Sequence, residues 1–174
     1  MAATFQFFEQ NGVAFGSPPQ GTVTTGRTES NWKNIDDSTS VYSSFPIQAG
    51  NNSFSKYQYG NFTGTFNQIS ACLWTHTAGT FGTGITLQGA VTSTYATPST
   101  VANALLTTNM TAPIAIGSGL PVLFSTNSPA DPAPTATLSA AGYTQFLVTQ
   151  LQTTTAANPG DTTPTVSTLE YSEN

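Results

Sequence analysis

The apolar and polar positions of this chain alternate over short stretches, in the way that β-strands require. Between residues 165 and 171, Leu169 and Tyr171 lie on one side of an extended backbone, and Thr168 and Glu170 lie on the other. A period of two predicts a strand that is buried on one face. Gly, Pro, Asn and Ser separate the stretches, as is typical of turns between strands. The segments predicted as strands are 4–8, 41–47, 57–66, 69–77, 85–95, 121–124, 143–152 and 165–171.

Segment 143–152 differs from the others because apolar residues occupy both of its faces. Leu147 and Leu151 lie on one face, whereas Phe146 and Val148 lie on the other. A strand in the middle of a sheet can be covered from both sides, so this pattern predicts a central strand.

Strands of this number and spacing predict an all-β fold, a single-domain, jelly-roll-like β-sandwich. At most one short helix is expected, beginning after Thr97, which occupies the N-cap position before Pro98. Residues 1–30 are predicted to form an N-terminal strand and an extended arm, and residues 31–174 the β-sandwich domain. Within residues 153–164, a Pro-Gly-Asp run predicts an extended hairpin loop.

The composition of the chain is unusually poor in charge. Of the 174 residues, 6% are charged, against about 25% in typical globular domains. Threonine, serine, asparagine and glutamine take their place, while 11% aromatic residues argue against a disordered chain. A domain of this length can bury a core without disulfides, and one cysteine permits no intramolecular pair. Enzymes usually carry more ionisable groups, so we expect a non-enzymatic protein.

The few basic residues argue against two classes of partner. Arg27, Lys33 and Lys56 are the basic residues of the chain, and nucleic-acid affinity depends on neutralising several phosphates. We therefore expect no nucleic-acid partner. A membrane span needs about 20 apolar residues and a membrane-binding face needs clustered basic residues, so no membrane partner is expected either. The N-terminal sequence MAATFQFFEQ lacks the basic region of a secretory signal.

Cys72 and His76, the only cysteine and the only histidine, are candidates for metal binding or nucleophilic catalysis. On the strand predicted over 69–77, a rise of about 3.3 Å per residue separates them by about 13 Å. Zinc ligands lie only about 2.0–2.3 Å from the ion, and a thiol and its base must be in hydrogen-bond contact. We therefore predict no metal site, no catalytic pair and no cofactor. Asp36 and Asp37 lack a calcium-loop pattern and are predicted to form a solvated turn or a cap.

The aromatic residues allow two interpretations. They either form a platform on which carbohydrates stack, or serve as core residues and anchors of a protein interface, where Tyr, Trp and Phe are enriched. Phe62 and Phe66 share a strand face with Gly64 between them, which favours packing. Four residues are predicted as contacts with a protein partner: Trp32, Tyr57, Tyr59 and Phe62.

Four segments carry a resemblance to a known family. They are NWKNIDDSTS at 31–40, PIQAGNNSFSKYQYGNFTGTFNQI at 46–69, WTHTAGTFGTGITLQGAVTSTYATPST at 74–100 and AAGYTQFLVTQLQTTTAANPGDTTPTVSTLEYSEN at 140–174. With these segments, the chain from about residue 30 onward resembles virion structural proteins of tailed bacteriophages. The resemblance implies a small, β-rich component of the virus particle, without catalytic or cofactor-binding residues.

Among virion components, we expect a capsid decoration (cement) protein that binds and stabilises the head shell, because the low charge fits a protein held by backbone pairing and apolar contacts in an array. The expected partners are the major capsid protein or other virion proteins, and further copies of the chain in a homo-oligomer such as a trimer. The expected location is the virion, after synthesis in the cytoplasm of the host bacterium. Two alternatives stay open: a neck, collar or tail component, and a carbohydrate-binding or adhesin module. The N-terminal arm and residues 153–164 are expected to reach neighbouring subunits.

Overall fold

The computed structural model describes residues 2–13, 15, 21–29, 31–158 and 164–174, without the side chains of Thr77 and Ala78. Within these residues the regular secondary structure is almost entirely β-strand, which confirms the predicted all-β, single-domain fold. One turn of 3₁₀ helix, Tyr42–Ser44, is the only helical element described. The strands are β1 Ala3–Asn11, β2 Thr22–Thr24, β3 Lys56–Gly64, β4 Ile69–Ala78, β5 Ile85–Thr92, β6 Thr108–Asn109, β7 Leu120–Pro121, β8 Phe124–Ser125, β9 Thr137–Leu138, β10 Gly142–Thr144, β11 Phe146–Thr153 and β12 Val166–Glu173.

The strands form two antiparallel sheets. In the large sheet, neighbouring strands follow the order β2-β1-β3-β11-β5-β6, and β10 joins it by pairing with β3 and β8. In the small sheet, β4 lies in the middle and pairs with β12, β7 and β9. Apolar side chains of both sheets meet in one core, so the sheets pack as a sandwich.

Strand β11 lies inside the large sheet, as its apolar residues on both faces predict. It pairs with β5 from Phe146 opposite Thr92 to Thr153 opposite Ile85, and with β3 on its other side. Residues 146–151 are all buried. The prediction of a central strand is confirmed.

Alternate residues of the long strands build the core between the sheets. Phe62 on β3, Leu87 on β5 and Leu147 on β11 belong to the same cluster as Ile69 and Trp74 on β4. None of these side chains is more than 2% exposed. Truncating such a residue to alanine typically costs about 2–5 kcal/mol, so this cluster contributes much of the stability.

The opposite face of the large sheet carries a second cluster, which is mainly aromatic. Tyr57 and Tyr59 on β3 each pack edge-on against Phe146 on β11, with ring centroids 5.7 Å apart. Tyr95, from the segment after β5, covers Tyr57 with a centroid separation of 4.7 Å. Pairs of this kind contribute about 0.5–1.5 kcal/mol beyond the area they bury. The large sheet is therefore covered on both faces.

The helix predicted after Thr97 is wrong. One side chain of the large sheet binds two carbonyl groups of this segment, which a helix would use internally. Gln150, fully buried on β11, donates from Nε2 to the carbonyl oxygens of Ser99 and Val101 at 3.2 and 3.0 Å. Its Oε1 accepts from the backbone N–H of Asn103 at 3.2 Å. Tertiary hydrogen bonds therefore override the local helix signal.

The strand predicted over 41–47 is also wrong. The backbone N–H of Ser44 donates to the carbonyl of Val41, and that of Phe45 to the carbonyl of Tyr42, both at 3.1 Å. These i to i+3 bonds define a 3₁₀ turn. Such a turn is held by local hydrogen bonds, whereas a strand needs hydrogen bonds to an adjacent strand.

Two other predicted strands are interrupted in the structure. Segment 121–124 divides between β7 and β8, and 143–152 breaks at Gln145, between β10 and β11. Gln145 donates its backbone N–H to the carbonyl of Leu123 at 2.9 Å, and its Oε1 accepts from the backbone N–H of Leu123 at 3.1 Å. This reciprocal pair replaces the regular ladder at the break.

The N-terminal strand β1 is part of the large sheet. It pairs with β3 from Ala3 opposite Gly64 to Gln10 opposite Tyr57, and with β2 on its other side. The predicted boundary at residue 30 stays a prediction, although both described strands before it belong to this sheet. The other predicted parts, residues 14, 16–20 and 30 of the arm and 159–163 of the hairpin loop, lie outside the described residues.

Candidate functional site

The four aromatic residues predicted as interface contacts lie at different depths in the chain. Tyr57, Tyr59 and Phe62 are 0%, 4% and 0% exposed and pack within the chain's own core clusters. Trp32 is half-buried, and its Nε1 donates to Oγ1 of Thr149 on β11 at 3.0 Å. The structure does not bring the four together on one surface. Their contact with a partner stays a prediction, with Trp32 the most exposed of them.

Cys72, Trp74 and His76 all point into the interior from β4, and none is more than 4% exposed. Burial raises the pKa of the Cys72 thiol to about 12, so the reactive thiolate is disfavoured at neutral pH. Burial also lowers the pKa of His76. Within the described part of the chain, neither ring nitrogen of His76 has a hydrogen-bond partner. Cys72 and His76 therefore pack in the core, where a dissolved substrate does not reach them.

His76 makes the stability of the protein depend on pH. In the unfolded chain its imidazole binds a proton near pH 6.5, whereas burial keeps it neutral to lower pH in the folded chain. Below about pH 6.5 the unfolded state therefore binds more protons, and the free energy of unfolding falls with pH by at most about 1.4 kcal/mol per unit. His76→Leu should remove this slope and raise the stability at about pH 5, because it leaves no unpartnered polar atoms. Urea unfolding at about pH 7 and pH 5 measures both effects.

Asp37 also makes the stability depend on pH, but in a lower pH range than His76 does. Burial raises the pKa of Asp37, but hydrogen bonds from Lys33 and Ser40 lower it more, to well below 3.8. Its contribution to stability is present above about pH 3.8 and is lost as the pH falls below that value. A slope between about pH 6.5 and pH 5 that persists in His76→Leu would refute the assignment to His76.

A cluster of charged side chains lies where β1 and β3 meet the loop that precedes β3. Lys56 on β3 and Glu9 on β1 are each 1% exposed or less, with Nζ 3.0 Å from Oε1. Lys56 Nζ also donates to the carbonyl of Asp37 at 2.7 Å. Removing an ion from water costs several kcal/mol, so each of these charges needs its partner. The charged cluster consists of Glu9, Arg27, Lys33, Asp36, Asp37 and Lys56.

The second ion pair of the charged cluster closes a turn in this loop. Lys33, 2% exposed, donates from Nζ to Oδ1 of Asp37 and to the carbonyl of Ser40, both at 2.6 Å. Oδ1 of Asp37 also accepts the backbone N–H groups of Thr39 and Ser40. Asp37 therefore caps this turn, as predicted for it.

Arg27 and Asp36 link β1 to the same cluster. Asp36 accepts from Nδ2 of Asn11 and from the backbone N–H of Gly12, both at 2.7 Å. Nε of Arg27 lies 3.7 Å from Oε2 of Glu9. Every basic side chain of the protein is therefore paired with an acidic one in the charged cluster.

A half-open cleft of about 360 Å³, here called the aromatic cleft, lies on the outer face of the large sheet. Phe8 on β1, Tyr59 on β3 and Tyr143 on β10 line it, together with Asn127 and Pro129 from the loop after β8. The ring centroid of Tyr59 is 5.4 Å from that of Phe8 and 6.0 Å from that of Tyr143. Burial and the neighbouring phenol of Tyr143 raise the pKa of Tyr59 to about 12, so its hydroxyl stays protonated. None of the described lining residues carries a formal charge.

Val41 and Tyr42 are adjacent in sequence and are 61% and 55% exposed, at the start of the 3₁₀ turn. The carbonyl of the preceding residue, Ser40, is held by Lys33 of the charged cluster. The Val41–Tyr42 pair therefore projects from a segment with a fixed backbone. Other large apolar residues with exposed side chains are separated along the sequence: Val13, Val23, Val101, Ile116 and Val166.

Comparison with known proteins gives no match, whether to family models, to curated proteins or to solved structures. Among the described residues, no helix has the length and apolar character needed to cross a membrane. The same residues contain no group of three or more His, Cys, Asp or Glu side chains arranged to hold a metal ion.

Proposed function

We propose that this protein is a non-enzymatic structural component of a tailed-bacteriophage virion, a capsid decoration protein that binds and stabilises the head shell. Its partners in this role are the major capsid protein, or another virion protein, and further copies of itself. Two observations support the proposal. From about residue 30 onward the chain resembles virion structural proteins of tailed bacteriophages, and its fold is an all-β sandwich.

The observation that carries the proposal is an exposed aromatic residue on a fixed backbone. Tyr42 is 55% exposed, and tyrosine is one of the residue types that dominate binding energy in protein interfaces. The bond between Lys33 and the Ser40 carbonyl orders the segment before binding. A preorganised contact loses less conformational entropy when the complex forms. The Val41–Tyr42 pair therefore suits a protein that must hold tightly to a shell.

The charge distribution supports the same role. Arg27, Lys33 and Lys56 are all paired within the charged cluster, so the remaining ionisable surface is acidic. Such a surface has little attraction for phosphates, which is appropriate for a protein outside a shell that encloses nucleic acid. Contact with the shell then depends on apolar side chains and on backbone hydrogen bonds.

Binding of Tyr42 variants to particles tests the proposal. Purified protein is mixed with head particles that lack it, and the bound fraction is measured after sedimentation. We expect Tyr42→Ala to weaken binding by about tenfold or more, which corresponds to the loss of an interface anchor. The matched control is Val101→Ala, which truncates a side chain that is 73% exposed elsewhere, and it should bind like the wild type.

Three results would decide against decoration or against its contact residue. Wild-type protein that does not bind heads would overturn the proposed function. Binding to isolated necks or tails in few copies per particle, counted on quantitative gels, would favour the alternative position in the virion. Equal binding by Tyr42→Ala and the wild type would remove Tyr42 from the contact.

A further inference from the structure

The aromatic cleft has the chemistry of a saccharide site, and we propose that it binds a neutral sugar ring, such as the terminal residue of a glycan. Binding at this cleft does not depend on the decoration role, because it concerns the isolated chain. The site lies on the outer face of the large sheet, away from the buried Cys72 and His76.

The walls of the cleft match the apolar face of a sugar ring. The partly exposed rings of Phe8 and Tyr143 form the accessible walls, and they flank the buried ring of Tyr59, with centroids 5.4 and 6.0 Å from its own. Aromatic faces carry partial negative charge and attract the partly positive C–H groups of a pyranose. Pro129 extends the apolar lining. Ligand sites of this kind combine apolar walls with a few polar groups that set orientation.

The polar groups of the cleft match hydroxyls and not ions. Tyr59 is 4% exposed, yet no hydrogen bond from a described residue reaches its hydroxyl. A phenol that is neutral at physiological pH donates one hydrogen bond and accepts others, as a sugar hydroxyl does. Asn127 is exposed at the lining; its Nδ2 donates to Oδ2 of Asp131 at 3.3 Å, so its amide oxygen is the group that can accept from a sugar hydroxyl. With no formal charge among the described lining residues, a neutral ligand is favoured over a phosphate or a carboxylate.

The size of the cleft suits a single sugar ring. About 360 Å³ lies at the lower end of the range of ligand pockets, about 300–1,000 Å³. A proline-rich peptide, the other common ligand of aromatic clefts, advances about 3.1 Å per residue. Binding of such a peptide is therefore an outcome that the experiment below must distinguish from sugar binding.

A single sugar ring in a half-open cleft should bind weakly, in the millimolar range. If the protein covers a particle in many copies, simultaneous binding to several glycans raises the overall affinity by about 10²–10⁴. This last step rests on the proposed function, whereas the cleft itself is tested on the isolated chain.

Ligand-observed NMR on the full chain tests the site with methyl α-glucoside, methyl β-galactoside and N-acetylglucosamine as probes. We expect at least one of them to bind saturably below about 10 mM. Tyr143→Ala should weaken that binding by about tenfold, because it removes an aromatic wall. Tyr59→Phe deletes one hydroxyl and should weaken it about fivefold without disturbing the packing.

Tyr42→Ala is the matched control, since it truncates an exposed tyrosine outside the cleft and should leave sugar binding unchanged. In the reverse direction, Tyr143→Ala should leave particle binding unchanged, so failure of one proposal is distinguishable from failure of the other. The sugar proposal is overturned if none of the probes binds saturably, if a proline-rich peptide binds in their place, or if Tyr143→Ala and Tyr59→Phe both bind the sugar like the wild type.

Discussion

Replacing Lys56 by methionine is expected to lower the free energy of unfolding by about 3–5 kcal/mol, which is typical when one partner of a buried ion pair is removed. Glu9 is 0% exposed and would keep only Arg27, at 3.7 Å, as a cationic neighbour. The carbonyl of Asp37 would also lose the donor that now lies 2.7 Å away. Urea unfolding at neutral pH measures the loss through the transition midpoint, provided that the slope is unchanged.

Two further variants distinguish the pair from general damage to the fold. Glu29→Gln removes an exposed charge outside the cluster and should change stability by less than about 0.5 kcal/mol. The double variant Glu9→Leu, Lys56→Met should recover most of the loss, because an apolar pair requires no compensation of charge. A loss below about 1 kcal/mol in Lys56→Met would mean that water reaches Glu9 and solvates it.

Deleting residues 1–24 is expected to abolish cooperative folding. The deletion removes β1, which pairs along β3 from Ala3 to Gln10, and with it the apolar side chains of Phe5 and Phe7 that pack on the core. It also leaves Lys56 without Glu9. Circular dichroism and urea unfolding of the truncated chain would show an expanded state with no sharp transition.

A synthetic peptide of residues 2–13 provides the control. Added to the truncated chain, it should restore the transition in a concentration-dependent way, because it supplies the missing strand and its side chains. The same peptide with Phe5→Asn and Phe7→Asn should not. A truncated chain that unfolds cooperatively by itself would show instead that residues 1–24 are an arm and that the domain begins near residue 30.

The long strands could be predicted from local sequence. β3, β4, β5 and β11 all coincide with predicted segments, because runs of strand-forming residues are bounded there by turn-forming ones. The prediction over 41–47 is wrong because it assumes that the apolar residues are buried, whereas Val41 and Tyr42 are exposed in the structure. The helix predicted from the cap signal at Thr97 is wrong because Gln150, far away in sequence, binds the carbonyl groups that the helix would need.

The candidate sites were harder to predict for the same reason. The charged cluster joins Glu9 to Lys56, 47 positions apart, and no local pattern records such a pairing. Its one signal was the scarcity of basic residues, since three cations in a charge-poor chain need partners. The aromatic cleft assembles β1, β3 and β10 with the loop after β8. Tyr59 is among the predicted contact residues, but its burial and its neighbours depend on tertiary packing.

The order of strands in the large sheet has a consequence for how the protein forms. β3 receives β1 on one side and β11 on the other, and the backbone N–H of Ala3 donates to Oε1 of Glu173, 170 positions away. Chains dominated by such distant pairings fold in milliseconds to seconds, because each contact must first close a long loop. During synthesis, β3 can pair with β1 early, but its other edge stays exposed until β11 has been made. Newly made chains are therefore most prone to aggregation shortly before their synthesis is complete. Chaperones should have their greatest effect at that stage.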